Sequence, residues 1–250
     1  MSETVIPLPH LGDAANELWH ALFDLAEAVE APWTLVGGQM VLLHALEHGE
    51  RPPTLSQDGD VVGDVRSRPE ILHTIVAALN AAGFEVDGMS PSGLAHRYVR
   101  QGSAGPVKID VLAPDGLGSR TDLTTTPPGR TIEVPGGTQA LSRTERVRVA
   151  HQQREASIPR PTLIAAIVGK AAACGLPGDN SRHLRDAALL LSLLDDPFEA
   201  KNHLSKKDRE RLQMAKALED STHVAWNLVP FAIRDQGIAA FEILRSPPTG

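Results

Sequence analysis

With 250 residues, 42% apolar and 22% charged, the chain has the length and composition to bury a full core, in one large domain or two small ones. An aromatic content of 4% excludes a carbohydrate or single-strand platform built from exposed rings, and a net charge of −7 leaves nucleic-acid contact to local basic patches. A single cysteine, Cys174, excludes a disulfide framework and a cysteine-built zinc site, and the start MSETVIPLPHLGDAANE has neither the basic end nor the apolar core of a signal peptide. No stretch reaches the roughly 18 apolar residues of a membrane span, so a cytoplasmic chain with no membrane contact is expected.

Leu18, Leu22, Leu25 and Val29 recur at helical spacing and predict a helix over 13–31. Trp33–Val36 is short and apolar, a buried strand that Gly37-Gly38 breaks before MVLLHALEH resumes a helical pattern. A strand with polar intrusions is expected over 54–65, and an amphipathic helix over 68–82 that Gly83 stops. FEVD, HRYVR and VKIDVLAP are strand-like pieces, 119–135 reads as a loop, and ERVRVAH (145–151) alternates like a strand with an exposed basic face. Pro159 and Pro161 mark a boundary. Helices are then expected over 162–174, 182–194, 205–218 and 223–244, the last kinked at Pro230. The expected class is α+β: a mixed sheet with flanking helices over 1–155, followed by a helical domain over 156–250.

Asp58 and Asp60 stand two apart in the expected strand, where side chains alternate, so both point to one face. Like charges so placed repel unless a cation or water intervenes. Asp110, inside the apolar VKIDVLAP, is a third carboxylate that would complete an oxygen cage if it faced the same cleft. Such hard oxygen cages suit Mg²⁺, which keeps substrate phosphates among its ligands. A D-x-D taken alone is more often an exposed strand end. Gly37 and Gly38 open a helix after a strand, a geometry that lets backbone N–H groups approach a phosphate but that also serves as a plain strand-to-helix turn. Ser56, two before Asp58, would share its face and reach a phosphate or a metal-bound water.

Together, V-G-G-x-M-x-x-L-H, S-Q-D-G-D-V-V and K-I-D-V-L resemble the nucleotidyltransferase superfamily with the DNA polymerase β-like fold, and within it the AbiEii/MenT group of type IV toxin–antitoxin toxins. LIAAIVGKAAACG…SRHLRDAALLLSLL is similar to that group's K-x-x-A…K/R-x-x-D helical motif, with Lys170 and Arg185-Asp186 as matches. The resemblance spans residues 33–194. It implies a nucleotidyltransferase fold and transfer of a nucleoside monophosphate from a nucleoside triphosphate to an acceptor hydroxyl, on a tRNA 3′ end or a protein, with a cognate antitoxin as partner. It implies Asp58 and Asp60 as Mg²⁺ ligands and Asp110 as third carboxylate and general base. Gly37, Gly38 and Ser56 would hold the triphosphate and Lys170 would neutralise phosphate charge. Asp186 would orient Lys170 or Arg185, or touch the nucleotide. Gly59 stands where the family carries an aliphatic residue, and a glycine there allows a bulge that would re-aim the acids. Read on their own, Lys170 is a snorkelling lysine at the end of an apolar helix and Arg185-Asp186 a surface pair.

Two other functions share these motifs: transfer to a small molecule of the aminoglycoside type, and a catalytically silent nucleotide-binding module. The histidines show no metal-binding spacing beyond His44 and His48, four apart on a helix without a third ligand. Of the basic clusters, Arg143, Arg146, Arg148, Arg154 and Arg160 are the better candidate for an RNA backbone, whereas Lys201–Lys216 mixes in acids and reads as a solvated helix face.

Overall fold

The computed structural model describes residues 5–30, 32–52 and 54–247. It is a mixed α+β structure in two compact units, Met1–Met40 with Leu55–Pro161, and Val41–Thr54 with Thr162–Gly250. The division at Pro161 lies beyond the expected boundary at 155, because the two prolines of 159–161 end a strand instead of a linker. Residues 1–4 and 248–250, at the ends of the two expected domains, and residue 31, at the end of the expected 13–31 helix, lie outside the described residues.

In the first unit Val5–Pro7 forms β1 and Asp13–Ala28 forms α1, whose spaced Leu18, Leu22 and Leu25 are buried. Trp33–Val36 is β2. It passes without a loop into α2 (Gly37–Glu47), which belongs to the first unit up to Met40 and to the second from Val41, so the two glycines are the helix's own first turn. Asp58–Gly63 is β3 and Ile71–Ala81 is α3. Three strands follow: β4 (Glu85–Val86), β5 (Arg97–Gly102) and β6 (Gly105–Pro114). The expected loop over 119–135 contains β7 (Thr124–Thr126), β8 (Gly129–Arg130) and β9 (Glu133–Val134), strands too short to show periodicity. After α4 (Gly137–Ser142) come β10 (Thr144–His151) and β11 (Arg154–Pro161), an antiparallel hairpin that β1 joins in parallel. Pro159 and Pro161 obscured β11 in the sequence, since a proline donates nothing to the ladder.

Among the described residues the larger sheet runs β2-β3-β6-β5-β4, with β9 on β6. The β3–β6 pair is parallel and the β2–β3 and β5–β6 pairs are antiparallel. Register partners share a face. Gly59, Val61, Ile109 and Val111 therefore lie on one face, Asp58, Asp60, Lys108, Asp110 and Arg97 on the other. A Cβ on Gly59 would meet Leu18 and Leu22 of α1 at 3.3 Å each, and one on Gly63 would meet Ile71 of α3 at 3.1 Å. These glycines let two helices close onto the apolar face.

In the second unit α5 (Leu163–Ala173) and α6 (Ser181–Ser192) match the expected spans within two residues. Then follow α7 (Pro197–Asn202), α8 (Lys206–Leu212), a 3₁₀ segment (Gln213–Glu219), α9 (Val224–Asn227) and α10 (Phe231–Arg245). Asp196 caps α7 ahead of Pro197, and Ser205 with Asp208 closes a capping box on α8. Pro230 separates α9 from α10 outright instead of kinking one helix, because it stands in extended conformation at the head of α10. Gly237 lets α10 cross close to α6: a Cβ there would stand 2.9 Å from the Cβ of Ser192. No helix among the described residues is long and apolar enough to cross a membrane.

Candidate functional site

The polar face of β3, β6 and β5 carries a row of charge. Asp60 and Asp110 are register partners, and so are Asp110 and Arg97, which puts acid, acid and base side by side on three adjacent strands. Asp58 flanks Asp60 on β3, and its register partner Lys108 flanks Asp110 on β6. The three sequence-selected carboxylates are thus brought to one face of one sheet. Gly59 produces no bulge there, because β3 keeps unbroken register with β6 from Asp58 to Val62. The expected loosening at Gly59 is corrected: its missing side chain makes room for α1 on the opposite face, and the acids keep their alternation.

Arg97 forms a fork on Asp110, with Nε donating to Oδ1 and Nη2 to Oδ2 at 2.8 Å each. The same Nη2 lies 3.8 Å from Oδ2 of Asp58. The hydrogen bonds to Asp110 raise the guanidinium above its already high range against the cost of burial, and the charges of Asp110, Asp58 and Asp60 add to this. The Asp110 side chain is 9% exposed and that of Arg97 37%. Sequence reasoning missed both Arg97 and Lys108, although they sit inside the quoted HRYVR and VKIDVLAP. Lys108 was legible, since it alternates onto the face of Asp110, two residues on. Arg97 was not, since only the β5–β6 register reveals its partner.

The head of α2 is built around Asp60. Gly37 has φ +68°, in the left-handed region that glycine enters freely. A Cβ on it would overlap the Asp60 carboxylate, reaching 2.7 Å from Cγ. Glycine is therefore required twice, once by the backbone and once by the acid beside it. Gly38 follows in the same helical turn. Gln39, also missed, is buried and donates to the Ser56 carbonyl at 2.9 Å and to that of Asp58 at 3.4 Å, tying this turn to the chain entering β3. Ser56 precedes the strand instead of lying within it, is buried, and donates its hydroxyl to Oδ1 of Asp58. That bond fixes Asp58.

Among the described residues no three His, Cys, Asp or Glu side chains converge closely enough to hold a metal ion. Both oxygens of Asp110 accept from Arg97. Asp58 and Asp60 fit a divalent cation, being like-charged neighbours on one strand face. Asp110 fits it only when Arg97 lets go.

The second unit holds Lys170 and Asp186. Nζ of Lys170 donates to Oδ2 of Asp186 at 2.7 Å, joining α5 to α6, with both side chains buried. Lys170 is neither a snorkelling lysine nor is Asp186 at the surface, since the two heads meet inside the helical unit. Arg185, half-buried, has its Nε buried without a hydrogen-bond partner. The Cys174 thiol, on the carbonyl of Lys170, is pushed up to about 11 by burial, as expected of core filling. Burial, then the charge of Lys170, holds His183 below the ordinary histidine range.

The basic strand cluster is engaged within the first unit. Arg148 pairs with Glu155, Arg154 with Asp24 and Glu27, and the buried Arg160 with Glu145. Arg143 donates to Gln139 and Arg146 to the Ser157 carbonyl. Arg154 ties the β10–β11 hairpin to α1, and the others pair within the hairpin or with α4, while the Arg148 side chain stays 45% exposed. His44 is buried in α2 and its carbonyl bonds the ring of His48, so the two do not form a metal-binding pair. No family model matches the chain, and no curated protein matches it.

Proposed function

We propose that the protein is a Mg²⁺-dependent nucleotidyltransferase with a nucleotidyltransferase-type first unit, moving a nucleoside monophosphate from a nucleoside triphosphate to an acceptor hydroxyl. One observation carries the proposal: Asp58, Asp60 and Asp110 share one sheet face, and Asp60 lies directly against the glycine that opens α2. A surface strand end needs neither the positive-φ glycine nor the buried Ser56 and Gln39 that hold Asp58.

Asp58 and Asp60 would hold Mg²⁺, which supplies positive charge to phosphate oxygens as negative charge builds on them. The N–H groups of Gly37 and Gly38 at the head of α2 favour an anion, and the absent side chain of Gly37 leaves room for the Asp60 carboxylate beside them. Lys108 adds a point charge for a phosphate oxygen. Ser56 keeps Asp58 in one rotamer, so the ligand set is preorganised. Asp110, once released by Arg97, is the group able to take the proton of an acceptor hydroxyl; while the fork holds, both its oxygens are engaged.

The acceptor classes, a tRNA 3′ end or a protein hydroxyl, and the role of a type IV toxin with a cognate antitoxin follow from the motif resemblance. Transfer to an aminoglycoside-type small molecule uses the same acids. A catalytically silent module would be favoured by a bulge at Gly59 that re-aimed the acids, and β3 keeps regular register with β6 there.

The test is incubation of the protein with Mg²⁺, each α-labelled nucleoside triphosphate, and total tRNA, bulk protein or aminoglycosides, beside Asp60→Ala. Label on one acceptor class that disappears in Asp60→Ala establishes the activity and its acceptor. Label that persists in Asp60→Ala rules the mechanism out, and nucleotide binding with no pyrophosphate release on any acceptor selects the silent module.

A further inference from the structure

We propose that Arg97 is an internal counter-cation that keeps the carboxylate row closed to a divalent ion until a nucleotide phosphate takes the guanidinium over, so that metal and triphosphate bind as one coupled event. This rests on the nucleotidyltransferase proposal for the same site and adds its regulation.

Three features of the row lead to it. First, one guanidinium serves two carboxylates on two different strands, reaching across the sheet: β5 carries Arg97, the adjacent β6 carries Asp110, and β3, beyond β6, carries Asp58. A divalent ion joining Asp110 to the β3 acids would compete for the same oxygens, so arginine and metal exclude each other there. Second, exposure is unequal. Asp110 is nearly covered while more than a third of the Arg97 side chain is open, so Arg97 is the partner able to leave. Third, the fork that fits a carboxylate fits a phosphate equally, with two parallel N–H···O bonds and full charge retained. Moving Arg97 from Asp110 to a phosphate therefore conserves its hydrogen bonding and uncovers two carboxylate oxygens as the phosphate arrives with oxygens of its own. Mg²⁺ is suited to such a mixed set, since it binds through one or two carboxylates together with substrate phosphates.

The experiment is Mn²⁺ binding, followed by electron paramagnetic resonance of the free ion, to wild type and Arg97→Gln. Each is titrated with and without a mixture of the four nucleoside triphosphates in non-hydrolysable form. Wild type is expected to bind Mn²⁺ about tenfold more tightly with nucleotide than without, within the ordinary span of coupling between sites. Arg97→Gln is expected to bind Mn²⁺ alone about tenfold more tightly than wild type, and its coupling to nucleotide to fall below about threefold. Where the glutamine variant does not fold, Arg97→Lys is read in its place, with the same signs and smaller changes, because lysine keeps the charge but not the fork. Unchanged Mn²⁺ affinity with wild-type coupling overturns the counter-cation and leaves the nucleotidyltransferase proposal standing. If wild type and both variants bind neither Mn²⁺ nor nucleotide, both proposals fall together.

Discussion

Asp110 in the sheet and Asp186 in the helical unit each meet a basic side chain at almost the same distance, 2.8 Å to Arg97 and 2.7 Å to Lys170. Their surroundings differ. The Lys170–Asp186 pair joins two apolar helices, with its side chains 8% and 6% exposed. The Arg97 fork is part-open and stands among three carboxylates, with Lys108 also in the row. Distance therefore does not separate the two settings; burial and charge balance do. A closed pair is worth little beyond what it prevents, namely an unpaired buried charge, whereas an open row with surplus acid attracts a further cation.

The comparison breaks most sharply at Lys170. Lys170→Met leaves Asp186 buried without its cation and is expected to destabilise the protein by about 3–5 kcal/mol in urea unfolding, while Lys170→Met with Asp186→Leu recovers most of that loss. A double variant as unstable as the single one would show that Lys170 acts through something other than this pair. On the sheet side, Gly59→Val forces two methyl groups against Leu18 and Leu22 and is expected to cost about 1–3 kcal/mol in thermal unfolding. An unchanged melting temperature would mean that α1 does not pack as closely as the 3.3 Å separations require.

Gly37→Ala sharpens the difference from the other direction. The strained φ costs about 1–3 kcal/mol, and displacement of the Asp60 carboxylate should weaken Mn²⁺ binding more than Gly38→Ala does in parallel titrations. The smallest effect belongs to His183. Its pKa is lowered in the folded state, so the unfolded chain binds the proton more readily and stability falls as pH drops below about 6.5, levelling off once the folded value is passed. His183→Gln should flatten that part of the stability curve and leave Mn²⁺ binding to the sheet unchanged. A flattened curve that also shifted Mn²⁺ affinity would couple the two regions.

Much of the site is legible locally. Period-two alternation puts Asp58 with Asp60 and Lys108 with Asp110, and the Gly-Gly head of a helix is a short-range signal. The α5 and α6 spans follow from their apolar spacing. β11 and the three short strands between Thr124 and Val134 escaped, because prolines and two- or three-residue pairings leave no periodic trace. Ser56 was assigned to the strand, but its hydroxyl caps Asp58 from outside it. Of the arginines of 143–160, Arg154 has partners that no local spacing reveals, because Asp24 and Glu27 lie more than a hundred residues away.

The sequence by itself determined which residues bear charge, where backbone freedom is needed, and which side chains share a strand face, because all of these depend on neighbours a few bonds away. Only the tertiary structure decided what each charge meets. Register set Arg97 against Asp110, the approach of α1 turned Gly59 from a flaw in a strand into a packing surface, and the meeting of α5 with α6 buried Lys170 on Asp186. Those outcomes come from ladder pairing and helix contact between segments distant in the chain, which no spacing along it encodes.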